Sequence, residues 1–352
     1  MSNERGDKPS ASAAARLMQC PASHQLSLRC AEPTESEYAA SGTRIHQVLA
    51  GEAEASTLNE SEQTTARICT SLLDSLQAQT FDGAEPEIHR EIRLWHNDEL
   101  SGQLDVLMHH EGIGLVVDYK TGRGEVEHAA RNAQLRWQAV LARNEFNLTQ
   151  VTVAIIQPLA EGDSVTTCLY STATLNMAQR EMEACIKAIA DETQTPSPSA
   201  AACKYCRAAP ICEAAHESVT VLASTKPTEL STERMAQLLD QCDLADKVIA
   251  NIRAAAKQAL LDGKEIEGWH MRAGSTRQSI TDIVGLYAHL SGEYSVSGEQ
   301  FATACTITKG KVKVILREAT GLKGKDLDAL TSSVVGSYGE DKATAPSLRR
   351  IA

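Results

Sequence analysis

The sequence predicts an α/β protein: a mixed central β-sheet flanked by helices, followed by a mainly helical C-terminal module. Three observations predict it. Apolar residues recur at three-and-four spacing through the first eighty positions, as in Ile68, Leu72 and Leu76, which is the period of an amphipathic helix. From Glu87 the texture changes to three apolar, β-branched runs separated by Asn97-Asp98 and Glu111-Gly112, pairs that favour tight turns. A helical stretch then separates the third run from a fourth, an order that builds a mixed sheet with helices on its faces.

Taken in order, Met1 to Ala11 reads as a flexible N-terminus (1–11), and the α/β domain as residues 12–216. Within it the pattern predicts helices over Ala13–Cys20, Glu37–Glu54 and Glu62–Gln79, then strands over Glu87–Trp95, Glu99–Met108 and Leu115–Tyr119. A helix over Ala129–Asn144, strands over Gln150–Gln157 and Val165–Tyr170, and a helix over Leu175–Asp191 complete the core. Pro158 stops the fourth strand, because proline donates no ladder hydrogen bond. Thr193 to Ala202 reads TQTPSPSAAA, a linker by composition. A second loose stretch, 217–229, leads to the C-terminal module, 230–352, whose first helix spans Ser231–Leu261 and ends at Gly263.

Composition bounds the function. Thirty-four Lys and Arg against forty-six Asp and Glu give a net charge of −12, which excludes a protein that coats DNA through bulk positive charge. Aromatic residues are 4%, too few for an extended row of base-stacking rings. No stretch is long and apolar enough to span a bilayer, and the first ten residues lack a signal-peptide pattern. The expectation is a cytoplasmic protein with no membrane partner, in which ten cysteines are core residues or metal ligands rather than disulfides.

The most informative triplet is Asp118-Tyr119-Lys120, after the apolar run Leu115-Val116-Val117. Side chains alternate along a strand, so Asp118 and Lys120 point to one face. Gly102-Gln103-Leu104-Asp105 puts a second carboxylate on the preceding strand, where pairing lets Asp105 and Asp118 converge on a divalent cation. Oxygen ligands of this kind suit Mg²⁺ or Mn²⁺, with Lys120 beside them to hold or activate water. His46, in Gly42-Thr43-Arg44-Ile45-His46, can add a nitrogen ligand or contact phosphate; Gln134 can orient phosphate or water; Glu91 is an accessory acidic candidate. Each part has an ordinary structural alternative: a solvated strand exit, a core histidine, a cross-strand partner for Arg90 or Arg93.

In this order the set resembles the PD-(D/E)XK nuclease superfamily, most closely its RecB-like branch, over about residues 12 to 216. The resemblance implies a restriction-endonuclease-like core. It implies Asp105 and Asp118 as metal ligands, helped by His46 and the Tyr119 carbonyl, Lys120 as the catalytic lysine and Gln134 as part of the site. The family's helix carries Tyr four residues after its Gln; here that position is Gln138, beside Trp137, which makes Trp137 a candidate DNA contact.

Cys203-x2-Cys206-x5-Cys212 has metal-ligand spacing but leaves one position to fill. Cys20, in Gln19-Cys20-Pro21-Ala22-Ser23, is the natural fourth, and Cys30 its substitute. One cysteine before the core and three after it resembles the iron–sulfur RecB-like nucleases, among them the AddB nuclease domain and CRISPR-associated exonucleases. That resemblance implies a 4Fe–4S cluster joining the two ends of the domain; zinc at the same four thiolates and an unmetallated cysteine trio are the two rivals.

The C-terminal module carries no catalytic constellation. Gly263 to Trp269 (GKEIEGW) and the closing Pro346 to Arg350 resemble an uncharacterised phage- and prophage-associated family of RecB-like proteins. Phe301 to Ala352 holds nine basic against five acidic residues, net +4, which leaves −16 on the rest. Lys309, Lys311 and Lys313 are therefore candidate phosphate-backbone contacts, with a solvated helix face as the plain alternative.

The function expected is a Mg²⁺- or Mn²⁺-dependent deoxyribonuclease, an exonuclease on free DNA ends in phage or mobile-element recombination. A phage single-strand annealing or recombination protein is the partner this suggests. The alternative is a DNA-end-binding or recombination scaffold that keeps the fold with little catalysis, and a zinc-stapled interaction protein is a third reading.

Overall fold

Three β-rich runs and two later ones join into one five-stranded sheet in chain order: β1 (Glu87–His96), β2 (Leu100–His110), β3 (Ile113–Tyr119), β4 (Gln150–Ile156) and β5 (Val165–Ser171). The computed structural model describes residues 6–30, 37–160, 162–224, 231–271, 283–305, 307–322 and 324–338. Neighbouring strands run antiparallel except β3 and β4, which are parallel. A parallel pair cannot be closed by a hairpin, and the crossover here is helix α5 (Ala133–Phe146). Glu111 and Gly112, both at positive φ, make the two-residue turn between β2 and β3, the backbone that matches strand twist.

Helices cover both faces, as expected for a mixed sheet. On one face α5 and α6 (Thr172–Ala190) pack with α1 (Ala14–Gln19) around Leu17, Leu104, Leu107, Leu141 and Met182. On the other, α4 (Glu60–Phe81) sets Cys69, Leu73 and Leu76 against Val106, Met108 and Val117. Helix α3 (Glu37–Ala50) lies beside α4, tied to it by Arg44 and Glu62 at 2.6 Å. Helix α2 (Ser23–Leu28) follows α1.

One irregularity shapes the site. Leu104 belongs to the first core and Val106 to the second, although residues two apart on a regular strand share a face. The ladder runs from Arg90↔Val106 to Ile92↔Leu104, leaving Glu91 opposite Asp105 in unpaired register. Glu91 has φ +48°, left-handed backbone that costs a non-glycine residue roughly 1–2 kcal/mol. The register continues unbroken through this point and sets the two carboxylates opposite each other.

Two boundaries differ from the composition reading. The end of the segment read as a flexible N-terminus is fixed: Ser10 bridges Ser101, and Ala11 is fully buried. Gly102 allows this, since a Cβ there would lie 2.7 Å from Leu141 Cδ1 and 3.2 Å from Ala11 Cβ. The stretch read as a linker from residue 217 is helical up to 224, inside α8 (Glu213–Ser224). Small and apolar residues there (Ala214, Ala215, Val219) pack around the cysteine segment, which composition alone conceals.

The chain divides into two compact units, Met1–Arg272 and Ala273–Ala352. Helix α9 (Thr232–Leu261) belongs to the first, packing Leu244 and Val248 against the segment that holds α7 (Ala200–Cys203) and Cys212. The second unit contains α10 (Ile283–Tyr294), α11 (Gly298–Ala304), α12 (Lys309–Thr320) and α13 (Gly324–Tyr338). Within it Leu327 and Thr331 are buried, and Lys313 pairs with Asp328 at 2.5 Å. Among the described residues no helix is long and apolar enough to cross a membrane.

Candidate active site

Asp105 and Asp118 stand where the β2–β3 ladder ends. Its last pair is Val106↔Val117, and beyond it the Asp105 carboxylate accepts the Tyr119 backbone N–H at 2.7 Å. Asp118 is buried; Oδ1 accepts from Gln134 Nε2 at 2.6 Å and Oδ2 lies 2.7 Å from Lys120 Nζ. Strand alternation places Asp118 and Lys120 on one face, and the first turn of α5 delivers Gln134. Asn132 caps that turn by accepting from Leu135 N at 3.0 Å, which fixes where α5 starts.

His46 reaches the site from α3. Its Nε2 sits 3.2 Å from the Tyr119 carbonyl, and Nδ1 sits 3.6 Å from Asp105 Oδ1 and 3.7 Å from Glu91 Oε1. His46, Glu91 and Asp105 each offer one ligand atom within 4.8 Å of the others, a grouping able to hold a metal ion. Glu91 is also fixed by Gln103 Nε2, which donates to its Oε2 at 2.7 Å.

Electrostatics are set by this crowding. Burial disfavours the charged imidazole of His46, but hydrogen bonds to Asp105 and Glu91 and their charges outweigh it, and the pKa rises to about 10. Burial raises Asp118 to about 6, with Lys120 drawing it down and the Asp105 charge pushing it up. Without a cation, the protonated His46 compensates the carboxylates. A bound divalent ion would take over that role and release the proton.

The residues picked from the sequence therefore fall into two adjoining groups. His46, Asp105, Glu91 and the Tyr119 carbonyl form one; Asp118, Lys120 and Gln134 form the other. Gln134 is engaged with Asp118 rather than free to meet a phosphate. Trp137 requires correction: it is fully buried in the α5 core layer and does not face DNA. Its neighbour Gln138 is 1% exposed and donates to the Gln103 carbonyl at 2.7 Å, so both side chains point into the protein. The 3.6-residue period turns this stretch of α5 to the sheet, and only Gln134 reaches the site. Gln157 was missed: its Nε2 donates to the Gly122 and Gly124 carbonyls at 3.0 and 2.7 Å, pinning the loop after Lys120. A polar residue ending β4 just before Pro158 was the available signal.

The four cysteines, nearly two hundred positions apart in the chain, also meet. Cys20, Cys203, Cys206 and Cys212 line one small cavity with Leu26, Pro196 and Pro198. Ser197 N donates to Cys20 Sγ at 3.3 Å, and Asn251 of α9 donates to the Cys203 carbonyl at 2.8 Å. Cys30 does not line this cavity; its thiol donates to the Leu26 carbonyl of α2 at 3.6 Å. Burial, reinforced by the neighbouring thiols, pushes Cys203 up to about 11. In the second unit Lys309, Lys311 and Lys313 are exposed on α12. Lys323, Lys342, Arg349, Arg350 and the closing 346–350 motif lie outside the described residues.

No curated protein matches the chain. Among solved structures, SSO0001 is similar at 15% identity and a TM-score of 0.26, over 64% of this chain and 88% of its own. The alkaline exonuclease LHK-Exo from Laribacter hongkongensis is similar at 14% identity and a TM-score of 0.27, over 53% and 89%. The LHK-Exo complex with dAMP gives 13% and 0.28 over the same shares. Likeness at this level carries no argument about function. The match to a family model is extensive: residues 8–91 and 52–304 match DUF2800, described as a protein of unknown function, so it spans the sheet, both residue groups and the cysteine site. The chain belongs to the DUF2800 family.

Proposed function

We propose that this protein is a Mg²⁺- or Mn²⁺-dependent DNA nuclease, an exonuclease that hydrolyses phosphodiester bonds at free ends in phage or mobile-element recombination. One observation carries it: His46, Glu91 and Asp105 converge within 4.8 Å beside an Asp118–Lys120–Gln134 chain. One imidazole and several carboxylates suit a hard divalent cation that keeps water positions for phosphate.

The residues fit such an ion, with Asp105, Asp118, His46 and the Tyr119 carbonyl as the proposed ligands and Glu91 as an accessory acid. When bound, the metal supplies Lewis-acid polarisation of the phosphate and stabilises the leaving oxyanion. Lys120 holds a water near the scissile phosphate and supplies positive charge to the transition state. Gln134 keeps the Asp118 carboxylate oriented, and Gln157 holds the loop that follows Lys120. A bound cation adds positive charge beside these carboxylates, which favours entry of phosphate into the loaded site.

The scaffold alternative drew on Gln138 in place of the family Tyr. That side chain is buried and bonded to Gln103, so the replacement is a packing feature and does not favour a silent site.

At the other end of the domain, the four cysteines are the proposed ligands of a 4Fe–4S cluster. Zinc bonds thiolates at about 2.3 Å, which sets the sulfurs of a tetrahedral site about 3.8 Å apart. The four thiols are buried around one small cavity, a sulfur-only donor set that suits an iron–sulfur cluster, with zinc as the rival.

The deciding experiment is degradation of linear DNA with Mg²⁺ or Mn²⁺ by wild type, Lys120→Ala and Asp118→Ala. Cleavage by wild type alone supports the reading; equal activity in all three overturns it.

A further inference from the structure

The start of β1 carries a second cluster that the nuclease reading does not use. Glu87 faces His109 directly across the β1–β2 ladder, and His89 lies two residues along on the same side. His89 Nε2 is 3.2 Å from His109 Nε2 and 3.3 Å from Glu87 Oε1, while His109 Nε2 is 3.7 Å from Glu87 Oε2. The two rings are within 10° of parallel with centroids 5.3 Å apart, so their nitrogens meet rather than their faces. Phe146, the last residue of α5, packs against both imidazoles at 4.9 and 4.4 Å and gives the pair one apolar wall. Glu87 stands on the solvent side.

We propose that Glu87, His89 and His109 form a second metal site, specific for a borderline transition ion such as Zn²⁺, that clamps the open end of the β1–β2 hairpin beside α5. Bonds of about 2.0–2.2 Å to imidazole and carboxylate place tetrahedral ligand atoms roughly 3.3–3.6 Å apart. The three separations above bracket that range before any metal is bound. Two imidazoles and one carboxylate select Zn²⁺, Ni²⁺ or Cu²⁺ over Mg²⁺ and Mn²⁺, in contrast to the carboxylate-rich group around His46. Binding breaks the hydrogen bond between the two facing nitrogens: the Nε2 proton passes to Nδ1 of its own ring through solvent, and both rings turn until each Nε2 lone pair meets the ion. Water fills the remaining position on the exposed side. The clamp is structural: it ties the first residues of β1, the edge strand among the described residues, to β2, where fraying begins.

The test uses the full chain with its cysteine site as purified, and Zn²⁺ as the probe. Histidine ¹H–¹⁵N spectra recorded during Zn²⁺ titration should show the Nε2 signals of His89 and His109 moving together, with no such movement under Mg²⁺. Equilibrium dialysis with metal analysis should give one more Zn²⁺ per chain in wild type than in His109→Asn. Glu87→Gln changes an exposed side chain and leaves the fold intact. It should weaken Zn²⁺ binding by at least about tenfold, the lower end of what even outer-sphere partners contribute. Zn²⁺ that leaves the His89 and His109 signals in place, or binds wild type and Glu87→Gln alike, overturns the site. Neither readout depends on DNA cleavage, so the nuclease reading can fail without affecting it.

Discussion

Gln134 donates a 2.6 Å hydrogen bond to Asp118, and this carboxylate, not a substrate, is what the α5 residue serves. A buried carboxylate held by one amide and one ammonium is oriented before any ion arrives. Gln134→Ala removes the only neutral donor of that pair, raising the Asp118 pKa further above its already elevated value. Cleavage should fall about 10–100-fold, the usual loss when a partner of a metal ligand is deleted. Because the deprotonated form is the useful one, the acidic limb of the pH–rate profile should move to higher pH. A drop in rate with an unmoved limb would mean that Gln134 acts some other way.

Glu91 should matter more than its weak sequence signal suggests. Its carboxylate sits 3.7 Å from His46 Nδ1, opposite Asp105. Glu91→Gln keeps size and shape and removes one charge, so Mn²⁺ affinity should fall about tenfold, roughly 1.4 kcal/mol. The His46 pKa should fall with it, since Glu91 is one of the two acids holding it near 10. Manganese titration by electron paramagnetic resonance and histidine NMR check the two effects separately.

The layers of this fold were legible because they rest on period. Apolar runs of strand length, turn pairs at positive φ and helical three-and-four spacing all report local physics, and the sheet follows from them. Asp118 and Lys120 were legible for the same reason, as alternation puts them on one face. The pairing of Glu91 with Asp105 was not, because it depends on which residues the two strands set opposite each other and on a left-handed residue inside a strand, neither of which a local pattern announces. Trp137 misled because its type, not its place on the helix, suggested a ring for DNA. The pair His89 and His109 lies twenty residues apart and becomes a cluster only through the hairpin.

Glu62 fixes the helix that carries His46. It accepts from Arg44 at 2.6 Å and Ser41 at 2.7 Å, and from the Asn59 N–H at 3.0 Å in a capping box. The Arg44 bond leads, with Ser41 and Asn59, in lowering its pKa to about 2, against burial. A depressed folded-state value means the stabilisation is complete above the ordinary carboxylate range near 4.5 and fades as pH falls toward 2. Glu62→Gln should therefore cost about 1–3 kcal/mol at neutral pH, the range for hydrogen bonds to charged groups. The gap between the two proteins in denaturant midpoint should close progressively below pH 4.5. A gap that stays constant down to pH 2 would show that the charge is not its source.

Cys20 and Cys30 compete for the fourth ligand position, and their surroundings differ. Cys20 lines the same cavity as Cys203, Cys206 and Cys212, while Cys30, just past the end of α2, bonds back to the Leu26 carbonyl and lines a different pocket with Arg207. A cluster on Cys20 and Cys203 would close a loop through the whole five-stranded sheet, and cross-links over about 100 residues remove unfolded-chain entropy worth roughly 4–5 kcal/mol. Cys20→Ser should therefore lose the bound iron and sulfide and unfold at a markedly lower denaturant concentration. Cys30→Ser should keep both the metal content and the midpoint of wild type. Iron, sulfide and zinc analysis of the anaerobically purified proteins checks the first point, and denaturant unfolding the second. Stoichiometric zinc in a colourless wild type would replace the cluster with a single ion; metal retained in Cys20→Ser and lost in Cys30→Ser would reverse the ligand assignment.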